Sequence, residues 1–225
     1  MSLFRRAAAP VLLAPVLLAL VLVSTAHADP GKTVPATKVF PFLEALLKVP
    51  AAERTRLKVT YGLRRDGKPA VGVRGALIEA NGARTPISTD DKGRFDRTPT
   101  LAQLQGNAQL TLDVPADAKF GTSLQLDPTL KPAPEYEVRE LEATVGESNA
   151  AIRKAAGAMA MMAPQMTGLV FQKAESGVAV FPNGSTQALP ASHGDVVFRA
   201  GQFKGATRVR LAKTPATVDF YDKKK

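Results

Sequence analysis

Hydrophobic and polar residues alternate with a period of two along much of the chain. The clearest case is Leu57, Val59 and Tyr61, which alternate with polar or small residues before Asp66-Gly67-Lys68-Pro69. Since successive side chains of a strand point to opposite faces, this pattern predicts a half-buried strand followed by a turn. Similar patterns predict strands at 71–79, 85–88, 93–97, 108–114, 123–126, 136–145, 168–173, 177–181, 196–199, 207–212 and 217–221.

Two segments have helical spacing instead. Between residues 40 and 48 the apolar residues recur at intervals of three and four, and Pro50 ends the run. This spacing predicts one short amphipathic helix. Ser148 is suited to cap a longer helix, whose alanine- and methionine-rich body runs from 150 to 163 before Pro164.

These elements predict a mainly β fold, β-sandwich-like and α+β overall, with one short N-terminal helix and one longer helix near 148–163. Residues 29–56 are expected to form a flexible lead-in and the short helix, and residues 57–145 a β-sandwich-like domain. Residues 146–225 combine the longer helix with antiparallel strands. They form either a second small domain or the completion of the same sheet.

The N-terminal 28 residues have the pattern of a cleavable signal peptide. Arg5 and Arg6 precede an uncharged apolar run, and Ala26 and Ala28 place small side chains before the expected cleavage site. The apolar run is shorter than the roughly 20 residues of a spanning helix and contains two prolines. The sequence therefore predicts export to the periplasm, or secretion, with a mature N-terminus at Asp29.

Composition narrows the class of protein further. The formal net charge is +10, and it becomes +8 once the two arginines of the signal peptide are removed. The chain contains no cysteine, which excludes disulfides, thiol catalysis and zinc–thiolate sites. The basic residues are dispersed among acids, which favours loose attraction to an anionic envelope component over nucleic acid binding.

Residues 57–115 carry two short motifs, Asp66-Gly67-Lys68-Pro69-Ala70-Val71-Gly72-Val73 and Thr89-Asp90-Asp91-Lys92-Gly93-Arg94-Phe95. With the strand between them, they resemble the carboxypeptidase-regulatory-like, or prealbumin-like, β-sandwich modules of many exported proteins. The resemblance implies a tight turn that feeds a strand, and a hairpin in which Gly93 has a positive φ and Phe95 enters the core. Turn chemistry and alternation predict the same roles. Such a module implies a scaffold or a binding unit.

The mature chain has one histidine, His193, close to Ser192 and Asp195. These residue types could form the nucleophile, base and orienting carboxylate of a hydrolase. Neighbouring residues on one loop do not easily adopt the serine–imidazole–carboxylate arrangement that activates the nucleophile, however. The chain also contains no Gly-x-Ser-x-Gly motif. A polar turn between strands is the competing interpretation.

Methionine is concentrated between residues 159 and 166. On a helix Met159, Met162 and Met166 would share one face, and Met161 would point away from it. Thioether sulfurs can bind Cu(I), but a stripe of this kind is also typical of core packing, which we favour.

No cofactor fingerprint, metal constellation or convincing nucleophile is apparent in the sequence. We therefore expect a non-catalytic periplasmic binding or envelope-accessory protein, without a cofactor. Another envelope protein or an anionic envelope component is the expected kind of partner. A hydrolase that uses Ser192, His193 or Asp195 and a methionine-based copper-binding protein are the alternatives.

Overall fold

A computed structural model describes residues 31–222. The predicted signal peptide and the lysine tail at 223–225 lie outside these residues. The described chain is mainly β, with four antiparallel sheets and few helices, which confirms the predicted fold class. None of its helices is both long enough and apolar enough to cross a membrane.

The strands are β1 (Lys32–Pro35), β2 (Leu57–Arg65), β3 (Lys68–Pro69), β4 (Arg74–Ile78), β5 (Arg84–Ser88), β6 (Gln109–Leu112), β7 (Gly121–Pro128), β8 (Glu135–Glu137), β9 (Met166–Phe171), β10 (Gly177–Val180), β11 (Thr186–Ala188), β12 (Ala191–Ser192), β13 (Asp195–Arg199), β14 (Arg208–Leu211) and β15 (Val218–Asp222). The α-helices are α1 (Ala36–Val39), α2 (Leu43–Lys48), α3 (Leu101–Gln105) and α4 (Val138–Ala156). Short 3-10 helices occupy Ala51–Glu53 and Gly157–Met162.

One core lies in the N-terminal half. It is built by a sheet of order β1-β6-β4-β5, by the sheet β3-β2-β7, and by α1 and the start of α2. Tyr61 and Leu63 of β2 and Leu77 and Leu110 of the other sheet are almost fully buried in it. Two sheets that share one core are the expected sandwich-like arrangement.

A second core lies in the C-terminal half. The sheets β11-β10-β14-β8 and β12-β13-β9-β15 both contribute to it, and α4 packs against β9. Leu141, Phe171, Phe198 and Val209 are fully buried there.

Two elements contribute to both cores. Leu43 of α2 is buried in the first core and Leu46 in the second. Likewise, Leu57 at the start of β2 packs in the second core, while Tyr61 packs in the first. The two halves are therefore joined through buried side chains.

The structure corrects the prediction at the N-terminus. Residues 32–35 of the expected flexible lead-in form β1, which pairs with β6. Of the helix expected between residues 40 and 48, only Leu43–Lys48 is helical, as α2, because Phe42 has a left-handed backbone conformation with φ 64°. A bulky residue rarely adopts this conformation, so sequence spacing alone does not reveal the later start. The separate helix α1 precedes α2, within the expected lead-in.

The prediction is also wrong for the strand at 136–145 and for the start of the longer helix. Only β8 is extended, and α4 then begins at Val138 and ends at Ala156 rather than near residue 163. Buried side chains recur along it at helical spacing, so tertiary packing selects the helix. Ser148 does not cap it; its buried hydroxyl donates a hydrogen bond to the Arg56 carbonyl at 3.4 Å.

The structure contains both turns that the family resemblance implies. Asp66 and Gly67 have φ values of 50° and 76° between β2 and β3. Gly93 has φ 71°, and Phe95 packs in the first core. The sequence prediction missed α3, although Thr100 and Gln103 form a capping box at its start.

Candidate functional site

An apolar groove of about 490 Å³ lies between α2, the β2–β7 strand pair and the C-terminal end of α4. Side chains of β2 and β7 form its floor. Phe42 and Ala45 line one wall, and Ile152, Met159 and Met162 line the other. Segments separated by about a hundred residues therefore meet around a single cavity.

The register of β2 and β7 makes the floor apolar. Val59 is paired with Leu126, and Tyr61 with Leu124. Directly paired residues of antiparallel strands have side chains on the same face, so these four side chains form one apolar surface. The alternate residues, including the pair Thr60 and Gln125, belong to the opposite and polar face.

The end of α4 gives the groove its methionine wall. Gly157 ends the α-helix with φ 55°, and the chain continues as a 3-10 helix to Met162. A 3-10 helix has three residues per turn, which aligns Met159 with Met162 and directs Met161 elsewhere. Met159 and Met162 line the groove, whereas Met161 is 100% exposed and does not.

Three large apolar side chains at the rim are exposed to solvent. Phe42 is 66% exposed, Met159 58% and Met162 85%. Isolated apolar residues are common on protein surfaces, but a contiguous concave patch is typical of a binding site. The left-handed backbone of Phe42 is the kind of local strain that clusters at such sites.

Among residues 31–222, Tyr61 carries the only polar side-chain group that lines the groove. Its hydroxyl donates a hydrogen bond to the Pro41 carbonyl, and burial raises the pKa of the phenol. The hydroxyl is therefore neutral at physiological pH and already paired. The described side chains of the groove supply apolar contact, but no charge and no proton-transfer group.

The predicted methionine stripe is not formed. Met166 lies outside the helix as the first residue of β9, where it is buried, and this confirms a core position for Met166. The core prediction is wrong for Met159 and Met162, because the helix ends early and leaves both side chains at the groove. The copper alternative required the three thioethers on one helix face. Among residues 31–222, no cluster of three or more histidine or acidic side chains is placed to hold a metal ion either.

The structure places Ser192, His193 and Asp195 in the hairpin between β12 and β13. Ser192 Oγ lies 2.9 Å from Nδ1 of His193, which has a positive φ of 53° in the turn. The Asp195 carboxylate instead accepts a hydrogen bond from the backbone N–H of Lys173 at 2.9 Å. Within residues 31–222 the Asp195 carboxylate has no hydrogen bond to the imidazole, so the three residues lack the serine–imidazole–carboxylate line of a triad.

The methionine cluster was the one sequence signal that pointed to the groove. The alternation in β2 and β7 predicted which residues share a face, but not what covers that face. No protein-family model matches the chain, and neither a curated protein nor a solved structure matches it.

Proposed function

We propose that this chain is a non-catalytic, exported binding protein that holds a hydrocarbon chain, such as the acyl chain of a fatty acid, in the apolar groove. The observation that carries the proposal is the groove itself, a concave surface of about 490 Å³ lined by apolar side chains, with one tyrosine whose hydroxyl is already paired.

Size and flexibility support this ligand class. Small-molecule pockets generally have volumes of roughly 300–1,000 Å³, and the groove falls within that range. Each methylene group transferred from water into it contributes about 0.8 kcal/mol to the free energy of binding. The unbranched side chains of Met159 and Met162 adapt to ligands of different shape.

The polarity of the lining favours a hydrocarbon over an extended peptide. A peptide in this groove would bury backbone N–H and C=O groups where the lining side chains offer no free hydrogen-bonding group. Burying such a group without a partner costs roughly 1–3 kcal/mol or more. A hydrocarbon chain carries no polar group and avoids this cost.

Export is part of the same proposal. Ala26 and Ala28 precede the expected cleavage site, and the resulting mature chain is basic. A net positive charge favours attraction to anionic lipid headgroups, where acyl ligands are found. Intact-mass analysis of protein from the periplasmic fraction should give a chain that begins at Asp29. Retention of residues 1–28 would contradict the export proposal without affecting the groove.

Ligand binding can be tested by titrating the mature protein with 11-(dansylamino)undecanoic acid and recording dansyl fluorescence. We expect saturable binding that oleic acid reverses by competition. The double variant Met159→Ser/Met162→Ser should weaken binding about tenfold or more, because each change removes apolar contact worth more than 1 kcal/mol. Its thermal midpoint should change little, since both side chains are largely exposed.

Met161→Ser provides the matched control. Met161 belongs to the same 3-10 helix but does not line the groove, so this variant should bind the probe as the wild type does. Absence of saturable binding, or an equal loss in Met161→Ser, would contradict the proposal. Displacement of the probe by an apolar helical peptide but not by oleic acid would replace the hydrocarbon with a protein partner.

A further inference from the structure

A second cavity, of about 350 Å³, lies on the polar face of the same β2–β7 pair. Thr60 and Arg64 of β2 and Gln125 of β7 line one side of it. The turn that contains Lys92 and the end of the β9–β15 pair complete it. The cavity and the apolar groove thus lie on opposite faces of the same sheet.

The cavity has a cationic side. Arg94 is neutralised by Asp90, whose Oδ2 accepts hydrogen bonds from Nε at 2.9 Å and from Nη2 at 2.8 Å. Arg64 donates only to the uncharged carbonyl of Gly67, at 3.1 Å, and none of the residues 31–222 forms an ion pair with Arg64 or Lys92. Two positive charges therefore face the cavity without a carboxylate partner in the described chain.

The opposite side offers oriented hydrogen-bonding groups. The half-buried Asp219 accepts a hydrogen bond from the Gln172 amide and another from the Thr217 hydroxyl at 3.4 Å. Nearby, Asp127 accepts from the Gln125 amide at 2.8 Å. Burial, and to a lesser extent the charge of Asp127, raises the pKa of Asp219. This side presents carboxyl and amide oxygens to ligand hydroxyl groups.

We infer that this cavity binds a small hydroxyl-rich anion, of the class of uronic acids and sugar phosphates. Arg64 and Lys92 hold the anionic group, and Asp219 and Gln172 hydrogen-bond the hydroxyls. Its volume is near the lower limit of roughly 300 Å³ for ligand pockets, which fits one or two sugar rings. In the part of the chain that the structure describes, no aromatic side chain lines it, so hydrogen bonds and charge supply the recognition.

The inference can be tested by recording ¹H–¹⁵N spectra of the mature protein during titration with four probes: glucuronate, glucose 6-phosphate, glucose and inorganic phosphate. We expect glucuronate and glucose 6-phosphate to shift the amide signals of Gly62 and Ser123, which line the cavity. Glucose should bind at least about tenfold more weakly because it lacks the anionic group, and inorganic phosphate because it lacks the hydroxyls.

The double variant Arg64→Met/Lys92→Met should lose at least about tenfold in affinity for both anionic sugars. Lys131→Met/Lys204→Met removes the same charge away from the cavity and should bind as the wild type does. No shift with any probe up to about 10 mM, or an equal loss in the control variant, would overturn the inference. So would equal affinity for glucose and glucuronate, or for inorganic phosphate and glucose 6-phosphate.

Discussion

The Asp90 carboxylate stabilises the turn that follows β5, at residues 90–94. Oδ1 accepts the backbone N–H groups of Lys92 at 2.9 Å and of Arg94 at 2.8 Å, and Oδ2 accepts the Arg94 guanidinium. The backbone hydrogen bond from Arg94 is the main cause that lowers the pKa of Asp90 below its ordinary value of 3.8.

The lowered pKa predicts a pH-dependent effect of Asp90→Asn. A carboxyl group whose pKa falls on folding stabilises the protein above its unfolded pKa, and this stabilisation is lost as the pH falls through the folded value. The variant should therefore have a lower thermal midpoint than the wild type at about pH 7, and the difference should shrink below pH 3.8. An equal difference at neutral and strongly acidic pH would show that the ionised carboxylate is not responsible.

Gly93 combines a positive φ with close surroundings. A Cβ atom at this position would lie 2.9 Å from both the Ala70 nitrogen and the Leu63 oxygen. Gly82 has a similar φ of 82°, but no atom within 4 Å of the same position. Substitutions at Gly82 and Gly93 therefore distinguish the cost of backbone strain from the cost of steric conflict.

We predict that Gly82→Ala destabilises the protein by about 1 kcal/mol through backbone strain alone. Gly93→Ala should cost at least about 1 kcal/mol more, because backbone atoms must move to admit the methyl group. Gly93→Val should be worse still. Urea denaturation gives these differences, and equal losses for the two alanine variants would contradict the packing around Gly93.

At the scale of elements, the Asn149 side chain connects α4 to β9 through two hydrogen bonds. Its amide nitrogen donates to the Met166 carbonyl at 2.8 Å, and its oxygen accepts from the Met166 N–H at 2.9 Å. Both hydrogen bonds are buried. The side chain thus substitutes for a strand neighbour at the first residue of β9.

Asn149→Leu should destabilise the protein by roughly 2–5 kcal/mol, since it leaves two buried backbone groups without partners. Arg153→Leu, on the exposed side of the same helix, should change stability by less than about 0.5 kcal/mol. Denaturant midpoints measure both effects. A loss in Asn149→Leu no larger than that in Arg153→Leu would show that the contact between α4 and β9 does not depend on this amide.

The strands were largely predictable from sequence because their faces differ in polarity. The alternation around Leu57 gave β2, and the Asp91-Lys92-Gly93 signal gave the turn beside it. Residues 136–145 were predicted as a strand because Tyr136 and Val138 alternate with polar residues. Val138, Leu141 and Val145 have helical spacing instead, and contacts with distant segments favour the helix. The helix and strand propensities of a local sequence contain no information about such contacts.

The candidate site was harder to predict from the sequence than the strands were. The uneven distribution of methionine drew attention to Met159 and Met162, but the groove depends on where the helix stops and on the unusual backbone of Phe42. Both are consequences of tertiary packing. Local pattern therefore identified residues of the site without identifying the site.

At the scale of the molecule, α2 and β2 have residues in both cores. Unfolding one core would remove contacts from elements that the other core requires. We predict a single calorimetric transition for the mature protein, with a ratio of calorimetric to van't Hoff enthalpy near 1. Two separate transitions would instead show that residues 57–145 and 146–225 are independent domains.

The β2–β7 pair has an apolar face in one cavity and a polar face in the other. Because strand side chains alternate, deleting Thr60 from β2 would exchange the two faces beyond that point. Tyr61 would then face the hydroxyl- and charge-bearing side, and Gly62 would take its place in the apolar floor. Deleting two residues would preserve the assignment of faces. Over evolution this segment can therefore accept substitutions on one face independently of the other, but changes in its length only in steps of two.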